Sequence, residues 1–446
     1  MRSFNPRIVF LLVVVFCLFG IFPLHSFAAQ TRKPNVIFIL ADDLGYGDLG
    51  CYGQKLIKTP NIDDLAQRGT RFTQCYAGST VCAPSRCALM TGKHAGHARI
   101  RGNGGRGEGG ILQADDLTIP KILKQAGYRT GIIGKWGLGN QNTPGVPSRQ
   151  GFDYSFGYLG HVHAHDYWTD HLFRNGERVE IPPKTYSHDL FSEEALDFVR
   201  REHEKPFFLF LAFTIPHGKF HPLTDAPYSN ESWSQQEKNI AAMMTRMDND
   251  IGKLMSLLKE LDLENDTIVF FTSDNGPREQ GAKLFQSAGR LRGIKRDLYE
   301  GGIRVPMIVR WPGKVKDGTT SEQVWTFWDV LPTIADIAGA KSPEDIDGFS
   351  MLPALLGQNQ SRRRFLYWEF HERGFDQAVR MDDWKAVRHG KDPLELYDLR
   401  TDPDESRNVA QQNPSIVAKI EQYLKTARTD SAAWPIKEGP RRKRRN

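Results

Sequence analysis

Val36-Ile37-Phe38-Ile39-Leu40-Ala41-Asp42-Asp43 runs from unbroken apolar residues straight into two carboxylates. A run with no polar alternation predicts a strand buried on both faces, as in parallel sheets covered by helices. The same layout returns three times. Thr130-Gly131-Ile132-Ile133 ends in Gly134-Lys135-Trp136, Phe207 to Phe213 leads to Pro216-His217, and Thr267 to Thr272 ends in Ser273-Asp274-Asn275-Gly276. Helical stretches lie between: Ser187 to Glu204, and Gln235 to Leu261, where Ile240, Met243, Met244, Met247, Ile251, Leu254 and Leu258 recur at helical spacing and are expected in the core. This alternation predicts an α/β fold, a mostly parallel central sheet sandwiched by helices. Ligands of open sheets bind beyond the carboxyl ends of the strands. Asp42, Asp43, Lys135, His217, Asp274 and Asn275 are therefore expected on one rim.

Cys82-Ala83-Pro84-Ser85-Arg86-Cys87-Ala88-Leu89-Met90-Thr91-Gly92 carries a cysteine just before an expected helix. Pro84 suits a first turn and Gly92 a stop. Cys82 would sit at the positive end of that helix, with Arg86 one turn further on, close enough to hold an anion. A small buried cysteine packed beside a helix accounts for this stretch equally well. Asp42, Asp43, Asp274 and Asn275 offer oxygen donors only, so a cation bound there would be hard: Ca²⁺ first, Mg²⁺ second. Taken singly, Asp-Asp and Asp-Asn-Gly are also common turn residues.

The Cys-x-Pro-x-Arg stretch followed by Thr-Gly resembles the signature of the type I sulfatases, of the alkaline-phosphatase-like superfamily. The resemblance spans nearly the whole chain after residue 30 and rests on several separate motifs. It implies that a formylglycine-generating enzyme oxidises Cys82 to 3-oxoalanine before folding. It implies Ca²⁺ on Asp42, Asp43, Asp274 and Asn275, with the modified Cys82 as a further ligand. By the same resemblance Arg86 stabilises the hydrate of the aldehyde, Lys135 and Lys295 bind sulfate, and His217 protonates the leaving group. Lys295 stands four before Tyr299 in Lys-x-x-x-Tyr-Glu-Gly-Gly. The implied activity is hydrolysis of sulfuric esters of a sulfated small molecule or saccharide. One position departs from the pattern: Gly137 follows Lys135-Trp136 where the family commonly has a histidine, which the resemblance implies to be the base for sulfate release. His165 is the expected substitute, with His163 second, from Gly160-His161-Val162-His163-Ala164-His165. Alternating histidines also suit a transition metal or a plain polar loop. Two alternatives to a sulfatase stay open: a phosphonate or phosphate ester hydrolase of the same superfamily, and a catalytically impaired sulfate-binding homologue.

Arg2 and Arg7 precede an apolar run from Ile8 to Leu24, and Ser26-Phe27-Ala28 offers small residues for cleavage. Residues 1–28 read as a signal peptide, with an uncleaved anchor as the alternative, which points to a secreted or periplasmic protein without stable membrane insertion after cleavage. The net charge of +6 is concentrated at the ends, in Arg2, Arg7 and the Arg441 to Arg445 run. The body between is close to neutral and has no nucleic-acid footprint. The expected organisation is a catalytic domain over 29–355, a small C-terminal α+β subdomain with an antiparallel sheet over 356–435, and a basic tail over 436–446. Strands are expected near Phe365 to Phe370, Gln377 to Arg380 and Trp384 to Val387, with a final helix opening at Asn413-Pro414. Cys51, Cys75 and Cys87 allow at most one bridge if Cys82 is modified. The glycine-rich stretch from Arg101 to Gly110 reads as a mobile surface loop.

Overall fold

A computed structural model describes residues 33–104, 110–360 and 365–436. The signal peptide and nearly all of the basic tail lie outside these residues. In chain order the larger sheet contains β1 (Asn35–Ala41), β2 (Thr70–Tyr76), β3 (Arg129–Lys135), β4 (Tyr154–Tyr158), β5 (His171–Arg174), β6 (Glu177–Glu180), β7 (Phe207–Ala212), β8 (Thr267–Ser273), β9 (Arg304–Arg310), β10 (Thr319–Ser321) and β11 (Trp325–Thr326). Their spatial order is β10-β2-β9-β8-β1-β7-β3-β4-β5-β6, with β11 also on β2.

The middle of the sheet, β8-β1-β7-β3-β4, is parallel, as the apolar runs imply. The flanks are mixed. Strand β9 runs antiparallel to both β8 and β2, and β4-β5-β6 form an antiparallel meander. Strand β2, Thr-Arg-Phe-Thr-Gln-Cys-Tyr, has no continuous apolar run, so nothing in its composition announces a strand.

The helices are α1 (Pro60–Gln67), α2 (Cys82–Thr91), α3 (Ile119–Gln125), α4 (Ser187–Glu202), α5 (Gln235–Glu260) and α6 (Val330–Ala338). Successive residues of β1 face opposite sides of the sheet. Ile37 and Ile39 pack with Phe191 and Phe198 of α4 and with Met243, Met247 and Ile251 of α5. Val36, Phe38 and Leu40 pack with Leu89 and Met90 of α2, Leu123 of α3 and Ile334 of α6. The methionine stripe is core, as its spacing predicts. Helix α5 is held at its start by a reciprocal capping box between Ser234 and Glu237.

Helix α2 begins at Cys82 itself rather than after it, with Val81 as the extended cap residue. It stops at Gly92, whose φ of 70° is left-handed and costs a glycine little. Cys51, Cys75, Cys82 and Cys87 are all free thiols.

The C-terminal sheet is antiparallel in the order β12 (Leu366–Phe370), β13 (Asp376–Met381), β14 (Trp384–His389), β15 (Glu395–Asp398). Helix α7 (Pro414–Leu424) covers one face through Ile420 and Leu424. The other face packs on the larger sheet's surroundings: Trp368 Nε1 donates to the Ala77 carbonyl at 2.9 Å, and Lys385 Nζ to Glu300 at 3.0 Å. Arg101, in the glycine-rich stretch, is buried in this seam and bonds Glu369 and the Thr429 carbonyl. At that point the stretch is a structural tie rather than a mobile surface loop. Arg106 lies outside the described residues.

Candidate active site

Sheet register builds the rim. Ala41 at the end of β1 pairs with Ser273 at the end of β8, so Asp42-Asp43 and Asp274-Asn275 leave the sheet side by side. Gly134 pairs with Ala212, which brings Lys135 beside the exit of β7 that leads to His217. Lys295 arrives on the loop before β9, held where its amide donates to the Pro277 carbonyl at 2.9 Å.

The carboxylates and cations interlock. Lys135 Nζ donates to Asp42 Oδ2 at 2.5 Å, and Lys295 Nζ donates to Asp43 Oδ1. Arg86 donates to Asp274 Oδ2 from Nε at 3.0 Å and Nη2 at 2.9 Å, and from Nη1 to the Lys135 carbonyl at 2.8 Å. Asn275 Nδ2 donates to Asp43 Oδ1 at 2.7 Å. Asp43 has a φ of 65°, a left-handed conformation that aspartate tolerates, and its amide donates to Asp274 Oδ1 at 3.1 Å. All of these side chains are buried.

Charge follows from this geometry. Burial alone would raise Asp42 and Asp43, yet the neighbouring cations hold both below the usual carboxylate range. Asp274 goes the other way, up to about 6, because burial and the Asp42 charge outweigh Arg86. The lysine at 135 is pushed above its ordinary value: burial opposes this, and Asp42 overcomes it.

Three buried acceptors at the rim have no hydrogen-bond donor: Asp42 Oδ1, Asp43 Oδ2 and Asn275 Oδ1. Leaving such oxygens unsatisfied costs about 1–3 kcal/mol each. Together they are an oxygen-only set with the hardness a divalent cation of the calcium or magnesium type prefers. Asp42, Asp43 and His217 also present ligand atoms within 4.8 Å of one another. The residues therefore fit a metal ion.

Cys82 opens α2 with 2% of its surface exposed. It lies within electrostatic reach of Arg86 and Lys135, the cations that hold Asp274 and Asp42. Asn103 accepts from the Ala83 amide at 3.0 Å and from the Cys82 thiol at 3.6 Å. Asn103 escaped the sequence reading because it sits in a glycine-rich run; its only signal was being the amide side chain there.

His217 Nδ1 donates to the Gly218 carbonyl at 2.5 Å, which leaves Nε2 facing Asp43 Oδ2 at 3.3 Å. Burial first, with help from Lys295 and Lys135, takes its pKa down to about 4 despite Asp43 and Asp42. His165 stacks on it, and His165 Nε2 is buried without a partner. His163 is turned elsewhere: its Nε2 bonds Thr169 Oγ1 at 2.7 Å and its ring stacks on His171. The rim thus gathers Asp42, Asp43, Lys135, His217, Asp274, Asn275, Arg86 and Lys295 around the start of α2, with His165 behind His217.

A second group, His94, His97 and Asp347, meets near the far end of α2. The Gly96 amide donates to His94 Nδ1 at 3.1 Å, so the His94 proton sits on Nε2, facing Asp347 Oδ1 at 3.5 Å. With Nδ1 taken by the amide and the proton on Nε2, neither His94 nitrogen offers a lone pair to a metal.

The protein-family profile described as "Sulfatase" matches residues 34–340, and that of the "N-sulphoglucosamine sulphohydrolase, C-terminal" region matches 294–430. The chain is 31% identical to arylsulfatase A of Homo sapiens over 91% of this chain and 90% of that protein. It is 29% identical to N-acetylgalactosamine-6-O-sulfatase of Bacteroides thetaiotaomicron over 90% and 94%. Among solved structures, Ps i-CgsB in complex with k-i-k-neocarrahexaose superposes with a TM-score of 0.81 at 32% identity, covering 91% of this chain and 94% of that one.

Proposed function

The chain belongs to the sulfatase family and is a sulfuric ester hydrolase, and on that premise we propose that it removes sulfate from a sulfated saccharide. One relative named above is by its name a sulfatase of N-acetylgalactosamine 6-O-sulfate, and the solved structure holds a neocarrahexaose, which supports this substrate class. We assign Asp42, Asp43, Asp274 and Asn275 to Ca²⁺, with Mg²⁺ as the weaker occupant, and Cys82 to conversion into formylglycine by its generating enzyme. Bound there, the ion would polarise a sulfate oxygen and the oxidised residue would supply the attacking oxygen.

The chain's own side chains do the rest. Asp42, Asp43 and Asp274 are offset by Arg86, Lys135 and Lys295, so a divalent ion tips the buried site positive and readies it for an anionic ester. Lys135 and Lys295 grip the sulfate. Arg86, one turn on from Cys82, ties α2 to Asp274 and so holds position 82 against the ion's ligands. His217, fixed through Nδ1, offers Nε2 to the leaving oxygen. The carrying observation is the trio of donorless buried oxygens on Asp42, Asp43 and Asn275, beside the cysteine that opens α2.

The N-terminal reading supports a secreted or periplasmic enzyme; among the described residues no helix is long and apolar enough to cross a membrane. The test is sulfate release from aryl sulfate and sulfated oligosaccharides by protein from its native host, with mass analysis of the Cys82 peptide. Faster cleavage of aryl phosphate or phosphonate than of any sulfate ester would sink the assignment. An unmodified thiol together with sulfate binding and no turnover would indicate the impaired homologue.

A further inference from the structure

Gly137 follows Lys135-Trp136 with a φ of 78°. A Cβ at that position would meet the His161 Cβ at 3.8 Å and the Arg86 Cδ at 4.0 Å. The space beside Arg86 that lacks a side chain at 137 is therefore bordered by His161. This histidine comes from the loop after β4, is half-buried, and has no hydrogen-bond partner for either ring nitrogen among the described residues. The charges around it are Lys135, Glu372, Asp42 and Lys295, so it faces the rim.

Glu372 reaches the same place from the turn after β12. Its Oε2 accepts from Arg296 Nε at 2.9 Å, and Arg296 directly follows Lys295. Its Oε1 is buried with no donor. An imidazole with free nitrogens and a carboxylate with a free oxygen thus lie within electrostatic reach of one another, near the anion-gripping lysines. Of the neighbouring histidines, His217 is held through Nδ1 to Gly218 and His163 through Nε2 to Thr169, while His165 keeps Nε2 free but lies flat on His217 and does not border the space at Gly137.

We propose that His161 is a catalytic base of the hydrolysis. This rests on the sulfatase reading above, and it replaces His165, the histidine expected from the sequence. The step moves one proton. With residue 82 oxidised, a ring nitrogen of His161 would take up the hydroxyl proton there as the carbon–oxygen bond to the departing sulfate broke and the carbonyl re-formed. No oxidant or further reactant is needed. Burial and the Lys135 charge keep the ring neutral, which is the form a base requires.

The test is His161→Ala and His161→Gly in enzyme purified with its residue 82 modification verified by mass. Expected are a turnover loss of about 10²–10⁴-fold, one equivalent of alcohol released in a burst, and an acid-quenched protein heavier by one sulfuryl group. Added imidazole should restore turnover to His161→Gly. Glu372→Gln should leave KM unchanged and move the acid limb of the kcat profile to lower pH, because the carboxylate favours the protonated ring. Wild-type turnover with full activity in His161→Ala overturns the inference and leaves the sulfatase reading standing. So does loss of turnover with neither burst, added mass nor imidazole rescue. A wild type that cleaves no sulfate ester overturns the sulfatase reading instead.

Discussion

The His165 imidazole lies flat against that of His217, with ring centroids 3.9 Å apart and planes 9° from parallel. Burial first, then repulsion from His217, takes His165 down to about 3. Two charged rings cannot share this stack, so His165 is expected to serve as a flat neutral wall that fixes the plane of His217. His165→Phe keeps the wall and is expected to keep kcat within a few-fold of wild type. His165→Ala is expected to lose about tenfold, or about 1.4 kcal/mol on the barrier. Equal collapse of both variants in steady-state assays would return His165 to the role of base.

Donorless oxygens on Asp42, Asp43 and Asn275 should make stability depend on a divalent ion. At free Ca²⁺ a hundredfold above its Kd, the wild type should gain about 2.7 kcal/mol over chelated protein, with a smaller gain from Mg²⁺. Asn275→Ala removes one of the oxygens and the bond to Asp43, and most of the Ca²⁺-dependent rise in Tm should vanish. A rise in Tm as large as that of wild type would mean the ion binds elsewhere.

Asn103 holds the first turn of α2 by accepting from the Ala83 amide at 3.0 Å. Asn103→Ala should cost about 1 kcal/mol in denaturant unfolding and lower kcat by loosening position 82. The family resemblance places oxidation of Cys82 before folding, so the fraction of modified protein should not change. A fall in that fraction, seen in the peptide mass spectrum, would contradict this separation.

Residues on one strand end were legible because a buried strand must be apolar until it leaves the sheet. The first polar residues after it then stand at the rim, which is why Asp42, Asp43, Lys135, His217, Asp274 and Asn275 were found from β1, β3, β7 and β8. Asn103 was not, because it acts through a partner fixed by tertiary packing rather than by local pattern. His161 was visible as a residue, but the reason to propose it over His165, the space at Gly137 that it borders, exists only in the fold. Strand β15, Glu-Leu-Tyr-Asp, is too short to show a period, and the reversal at β9 depends on a crossover that hydropathy does not encode.

Glu300, Lys385 and Glu405 form a fully buried group that locks the C-terminal sheet to the segment following Lys295. Lys385 lies 3.0 Å from Glu300 and 3.4 Å from Glu405, one cation between two carboxylates. Glu300, with Arg304 and Arg380 also near, stays below its ordinary range at about 2 despite burial. Glu405 is pushed up to about 7 by burial and then by the Glu300 charge, against Lys385. The sign follows from proton binding. Between pH 4.5 and about 7 the folded state keeps a proton on Glu405 that the unfolded chain has released, so this group's contribution is full below 4.5 and is lost as pH rises through 7. Glu300 acts oppositely and at lower pH, losing its contribution as pH falls from 4.5 towards 2. Glu405→Gln keeps an acceptor for the Glu300 amide, bonded now at 2.7 Å, and removes the titration. It should therefore gain stability relative to wild type on going from pH 5 to pH 8, by at most about 3 kcal/mol. Urea unfolding of both proteins across that range, with Ca²⁺ held constant, measures the difference; parallel curves would show that Glu405 is ionised throughout.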